Sequence, residues 1–248
     1  MTFSDAVLPV AFVVIAALYA SVGQAGATGY IAAMALAGFA PDVIKPTALA
    51  LNTLVAAIGC VRFARAGRLT WRSCYPFAIL GVPFSVLGGA THLPPSLYQA
   101  AVGALLLLAA VQMLRSARSA TALDAMAPSS PPFLPAVLAG GGIGFMSGVT
   151  GVGGGIFLAP LLLTLAWANT RQTAAMSAVL NLLNSAAALA GLWATIPALP
   201  APLPWWLLAA GVGGLIGSWL GALRLPPQAL RYILAALLFV AGVRMIAA

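Results

Sequence analysis

The chain is nearly without acids. Asp5, Asp42 and Asp124 are its only carboxylates, each at a terminus or in a predicted loop. With no carboxylate at mid-membrane, neither a carboxylate proton relay nor an acid-rich cation site is expected. Histidine is scarcer still: His92 stands alone, where the outer surface is expected. One histidine, no clustered acids and no ligand-like spacing leave nothing to build a metal centre or a hydrolase triad. No cofactor and no enzymatic activity are therefore expected. Two cysteines, Cys60 within an apolar run and Cys74 beside the start of another, make no disulfide framework. Charge of either sign is sparse, at 6% of residues, against about 25% in a soluble domain.

What remains is apolar. Hydrophobic residues make up 62% of the 248, and the mean hydropathy is +1.07. No core of this size hides that many apolar side chains from water, so the chain reads as an all-α, polytopic membrane protein whose first partner is the lipid bilayer. The net charge of +8 comes from 11 basic residues scattered through short loops. They form no continuous patch for nucleic acid and serve better as topology signals. The first apolar run, Ala6 to Ala20, has no basic segment before it and reads as a retained span.

Ten apolar segments are expected, at about 5–22, 27–40, 44–63, 73–90, 97–115, 133–147, 153–167, 171–193, 204–222 and 228–247. The second and seventh are short for a bilayer that needs about 20 residues. The chain divides into residues 1–115, a polar proline-bearing linker at 116–132, and residues 133–248. The halves look like repeats. Leu93-Pro94-Pro95 aligns with Leu225-Pro226-Pro227, Val111–Leu114 with Val243–Ile246, and Ala48–Asn52 with Ser177–Asn181.

Five segments per half is odd, so the second half enters the membrane inverted. Basic residues agree. Arg62, Arg65, Arg68 and Arg72 fill the loop after segment three, whose counterpart at 194–204 has no charge. Arg224 and Arg231 flank the loop after segment nine, whose counterpart around His92 has no Lys or Arg. With Arg115, Arg118 and Arg171, nine of the 11 basic residues then face the cytoplasm, leaving Lys45 and Arg244 outside with both termini.

Glycine is concentrated. Ser147–Gly155 reads SGVTGVGGG ahead of an apolar run. A fainter copy, Ser21–Gly29, carries Gly23, Gly26 and Gly29, which fall on Gly148, Gly151 and Gly154 at an offset of 125. Paired glycine-interrupted segments mark a transporter's binding site: an unwound backbone opens a helix whose first amides lack partners and attract anions. Close helix packing is the competing reading, and it suits the regularly spaced Gly213, Gly217 and Gly221. Polar residues within apolar runs include Gln24, Thr28, Thr47, Asn52, Ser147, Thr150, Thr173, Ser177, Asn181, Asn184 and Ser185. They bond between helices, or they line a cavity where NH2 groups donate to an oxyanion and still release it.

Those glycine stretches, Ser147–Gly155 through Pro160, together with Lys45–Asn52, Arg62-Phe63 with Gly67, Trp71-Arg72 and the late Leu-Pro-Pro of each half, resemble the sulfite exporter TauE/SafE family of membrane permeases. The likeness covers nearly the whole chain. It implies outward transport of small sulfur oxyanions or organosulfonates across a bacterial inner membrane. The expected site lies at mid-membrane between the repeats. Its residues are Gln24, Gly26, Thr28, Gly29, Thr47, Asn52, Thr150, Gly151, Gly153, Gly154, Gly155, Ser177, Asn181 and Asn184. Its ligand is a small anion, in a solvated hollow beside the glycines. The first stretch has Ala27, Thr28 and Tyr30 where the second has Val152, Gly153 and Gly155. Import of a sulfur compound, or carriage of another small solute, is the alternative; a homodimer is left open.

Overall fold

The computed structural model describes residues 3–21, 23–67, 69–118, 131–193, 199–220 and 227–247. Residues 119–130 of the linker lie outside these, as do Arg68, Asp124, residues 194–198, Gly221, Arg224 and Leu225-Pro226.

Among the described residues every element is helical. In order they are α1 (Phe3–Ser21), α2 (Ala27–Leu36), α3 (Pro41–Arg65), α4 (Trp71–Ala90), α5 (Pro95–Arg118), α6 (Phe133–Thr150), α7 (Gly155–Thr164), α8 (Thr170–Leu192), α9 (Leu203–Leu220) and α10 (Pro227–Ala247). Local chemistry sets the ends. Pro41 opens α3 at the turn where its missing N–H costs nothing. A capping box between Asn169 and Gln172 opens α8. α2 stops four residues before its expected end because Gly38, at φ +83°, turns the chain; Phe39 N–H then donates back to Met34 O. Five helices, α3, α4, α5, α6 and α8, are long and apolar enough to cross a bilayer. The protein is an all-α, polytopic membrane protein.

Small residues fix the helix pairs. α4 runs parallel to α6, with Gly140 against Phe77 O, Gly144 against Gly81 O and Gly148 against Ser85 O. α1 runs parallel to α9 in the same way, Gly213 on Val13 O and Gly217 on Ala17 O. α5 and α10 are antiparallel through Gly103 and Gly242. α3 and α8 are antiparallel, with Asn52 beside Ser185 and Gly59 beside Ala178. At the α4–α6, α1–α9 and α5–α10 crossings a side chain would have to enter a neighbouring backbone. Gly140→Val should therefore destabilise the bundle by about 1–3 kcal/mol or more, whereas Gly142→Ala, on the open face of the same helix, should be silent. Thermal unfolding in detergent distinguishes them; equal midpoints would show that the α4–α6 crossing is loose.

Two helices are half-length. α2 and α7 have ten residues each, about 15 Å of rise, against a hydrocarbon core of about 30 Å. α1 ends at Ser21, and Gly23 just beyond it lies against Phe63 near the end of α3 and Ala174 near the start of α8. The chain then doubles back as irregular backbone before α2 begins. α6 likewise runs on to Gly151, which lies against Lys45 near the start of α3, and doubles back before α7. Each short segment is thus one unwound stretch followed by one half-helix.

A meeting of two half-helices

Both elbows require glycine. Gly23 and Gly151 take φ +81° and +76°, the left-handed region that costs other residues about 1–2 kcal/mol. After each elbow the chain returns to the middle of the bundle, and there the two half-helices start alike. Ala27 N–H at the head of α2 donates to Asn52 Oδ1 at 3.1 Å, and Gly155 N–H at the head of α7 donates to Asn181 Oδ1 at 2.7 Å. Asn52 lies midway along α3 and Asn181 midway along α8. One carboxamide oxygen in each half satisfies an amide that no helix carbonyl can reach, and the helical bonds begin beyond it, with Tyr30 N–H donating to Gly26 O and Phe157 N–H to Gly154 O.

The two starts share one cluster. Asn52 Nδ2 donates to Ser185 Oγ at 2.8 Å, which ties α3 to α8. A β-carbon on Gly153 would stand 2.7 Å from Asn52 Nδ2 and 2.9 Å from Asn181 Oδ1; one on Gly155 would stand 2.5 Å from Asn181 Nδ2. Glycine is what lets the turn before α7 lie on both asparagines. From here α2 runs toward the end of the bundle that holds the start of α3, where Arg244 donates to Leu36 O. α7 runs to the opposite end, where Trp167 meets Phe77 and α8 begins. Two helix N-termini, each carrying roughly half a positive charge, therefore converge from opposite directions on neutral amides.

The expected site residues separate into groups. Asn52, Gly153, Gly154, Gly155, Asn181 and Asn184 come together, and Gly26 is the residue before α2, at φ +96°. Thr28 and Gly29 instead face α1: Thr28 shares a 2.7 Å hydrogen bond with Tyr19, and Gly29 packs on Ile15. Thr150 and Gly151 lie at the level of Lys45, about two helical turns from Asn52 along α3. Gln24 sits partly buried in the returning strand of the first elbow. Thr47 and Ser177 are buried with hydroxyls that meet no protein partner. Ser185 joins the cluster from outside the expected set; its place one turn after Asn181 on α8 was the available signal.

Three expectations are corrected. The offset of 125 put Gly23 on Gly148, but Gly148 is a packing glycine inside α6. The paired caps match Ala27 with Gly155, and the elbows match Gly23 with Gly151. Lys45 is not among the basic residues of a short loop. It is buried in the second turn of α3, where its Nζ donates to Gly88 O, Gly89 O and Thr91 O at 3.3, 3.0 and 3.1 Å, closing the C-terminus of α4. Nor do the turns before α2 and α7 face a solvated hollow in this conformation: Gly26, Gly153, Gly154 and Gly155 are buried, and Asn52, Asn181, Asn184 and Ser185 are at most 5% exposed. The polar cluster is occluded.

Known proteins bear on this architecture. A family model described as sulfite exporter TauE/SafE matches residues 7–245. The probable membrane transporter protein y4hK of Sinorhizobium fredii (strain NBRC 101917 / NGR234) is 53% identical over 239 residues, which cover 96% of this chain and 97% of that protein. No solved structure matches.

Proposed function

The chain belongs to the sulfite exporter TauE/SafE family, and on that premise we propose that it is a bacterial inner-membrane exporter of a small sulfur-containing anion. Sulfite, sulfoacetate and related organosulfonates are the class. One observation carries the reading: the opposed N-termini of α2 and α7 meet at Asn52 and Asn181, where no described side chain is ionised. Helix N-termini bind oxyanions through backbone amides and their dipole. Here the two asparagine oxygens hold the acceptor positions that an oxyanion would take. An arriving anion displaces them, and each carboxamide turns its NH2 group to it. Neutral donors also release the ion, as transport requires.

The helix pairs suit two inverted repeats of five helices. α4 on α6 corresponds to α1 on α9, while α3–α8 and α5–α10 pair across the halves. Arg62, Arg65, Arg72, Arg115, Arg118 and Arg171 belong to helix ends on one side of the bundle, and Lys45 and Arg244 to the other. The positive-inside bias makes the first side cytoplasmic and both termini periplasmic. Alternating access is then a rocking of the halves about the occluded cluster.

Among the described residues no carboxylate stands at the cluster to couple protons, so the membrane potential drives export. It supplies about 2.3 kcal/mol per charge per 100 mV, or roughly fifty-fold in concentration ratio. Proteoliposomes loaded with labelled sulfite should lose it faster as the interior is made negative, with unlabelled sulfonates competing and cations of similar size not competing. Electroneutral efflux would end the potential-driven mechanism. Flux of no oxyanion would end the reading itself.

A further inference from the structure

Beside the start of α7 lies a polar group that neither the fold nor the capping bonds use. Asn184 is fully buried, and neither its Oδ1 nor its Nδ2 meets a hydrogen-bond partner in the protein. The carboxamide is wedged between two glycines. A β-carbon on Gly154, the residue before α7, would stand 2.5 Å from Nδ2, and one on Gly81 of α4 would stand 3.4 Å from Oδ1. Ser85 Oγ donates to the Asn184 backbone carbonyl at 2.7 Å and holds this turn of α8 against α4.

The other half of the chain shows what the fold needs here. The repeat that places Asn52 opposite Asn181 places Val55 opposite Asn184 and, at the same offset, Gly214 opposite Ser85. Val55 is buried and packs on Gly214 of α9, where a β-carbon would stand 3.3 Å from its Cγ1. The same helix crossing is thus filled by an apolar side chain in one half. In the other it is filled by an amide whose donor and acceptor are both unmet. A buried amide without partners is costly, and packing does not call for one here. Its partner is a group that arrives.

We propose that Asn184 is a specificity-determining residue that reads a hydrogen-bond donor carried by the transported anion. This rests on the export reading above. The argument follows from the amide's two edges. An oxyanion supplies acceptors only. It satisfies the NH2 edge and leaves the carbonyl edge facing another lone pair, whichever way the amide is turned. An anion that also carries a hydroxyl or ammonium beside its charged group satisfies both edges. A site built to bond such a group discriminates against the analogue lacking it, because the site's own polar atom is then left unpaired. The ligand class is a small sulfonate or hydrogen-bearing sulfur oxyanion with a donor within reach of the α7 amides.

The test uses the full chain in proteoliposomes with two probes of equal charge and nearly equal size, 2-hydroxyethanesulfonate and ethanesulfonate. Wild-type protein should export the hydroxy compound on the order of tenfold faster. Asn184→Val, which installs the residue of the other half, should bring the ratio of the two rates to about one, whatever the absolute rate. In detergent, the hydroxy compound should also raise the unfolding midpoint of the wild type more than ethanesulfonate does, a readout that needs no variant. Equal export of the two by the wild type, or a preference that survives in Asn184→Val, overturns the role of Asn184 and leaves sulfonate export standing. Failure to move or bind either compound overturns both. If the variant does not fold, the wild-type ratio and the midpoint shifts decide.

Discussion

Leucine in place of Gly154 is expected to abolish anion efflux while leaving the protein inserted and monodisperse. Gly154 has φ −76° and ψ −19°, a conformation that leucine adopts freely, so the backbone pays no penalty. The damage is local. The new side chain must occupy the space of Asn184 Nδ2, 2.5 Å from its β-carbon, and of Ile143 Cγ2, 3.2 Å away. It also covers the first amides of α7. A bilayer helix with one extra apolar side chain still inserts, but an anion no longer reaches the N–H groups that would hold it. Size-exclusion chromatography and labelled-sulfite efflux, measured on the same preparation, separate insertion from transport. Gly142→Leu, on an open face of α6, is the control. Unaltered flux in Gly154→Leu would remove the start of α7 from the site.

A second substitution separates what the asparagines do for the fold from what they do for the cargo. Asn181→Leu leaves Gly155 N–H without its acceptor and should cost about 1–3 kcal/mol, lowering the unfolding midpoint by about 2–4 °C per kcal/mol in a chain of this length. Asn181→Asp behaves differently. An aspartate oxygen still accepts from Gly155 N–H, and a negative charge suits a helix N-terminus. Burial of the charge carries its own cost, so the aspartate variant should lose less stability than the leucine variant rather than none, and yet transport far less than the wild type, because a fixed anion occupies the place of the mobile one. Wild-type flux in Asn181→Asp would mean that the cargo does not visit this cap. A loss of stability as large as that of Asn181→Leu would mean that the acceptor oxygen is not what the cap supplies.

Much of this was legible in the residues. Apolar runs placed the ten segments within a few residues of the helices, because in lipid every backbone group must be satisfied within its own segment. The short second and seventh segments announced their half-length, and the glycines announced the elbows. The register of the repeat was not readable from glycine spacing. A glycine that turns the chain, such as Gly151, and one that admits a neighbouring carbonyl, such as Gly148, look alike until the partner helix is present. The burial of Lys45 was hidden for the same reason. Its three acceptors come from the end of α4, more than 40 residues away, and no local pattern reports them. Asn52 and Asn181 were visible as polar residues in matched positions. Of the two roles open to them, bonding between elements and binding cargo, the structure shows the first: each oxygen accepts from the leading amide of a half-helix.

The attraction at the meeting of α2 and α7 comes from peptide dipoles and uncharged amides, and these do not titrate. Across the range in which the bundle stays folded, acidity leaves this pull unchanged. A dependence of the transport rate on proton concentration that survives replacement of the buried Lys45 would then record the ionisation of the passenger, and the shape of that curve would help to identify it.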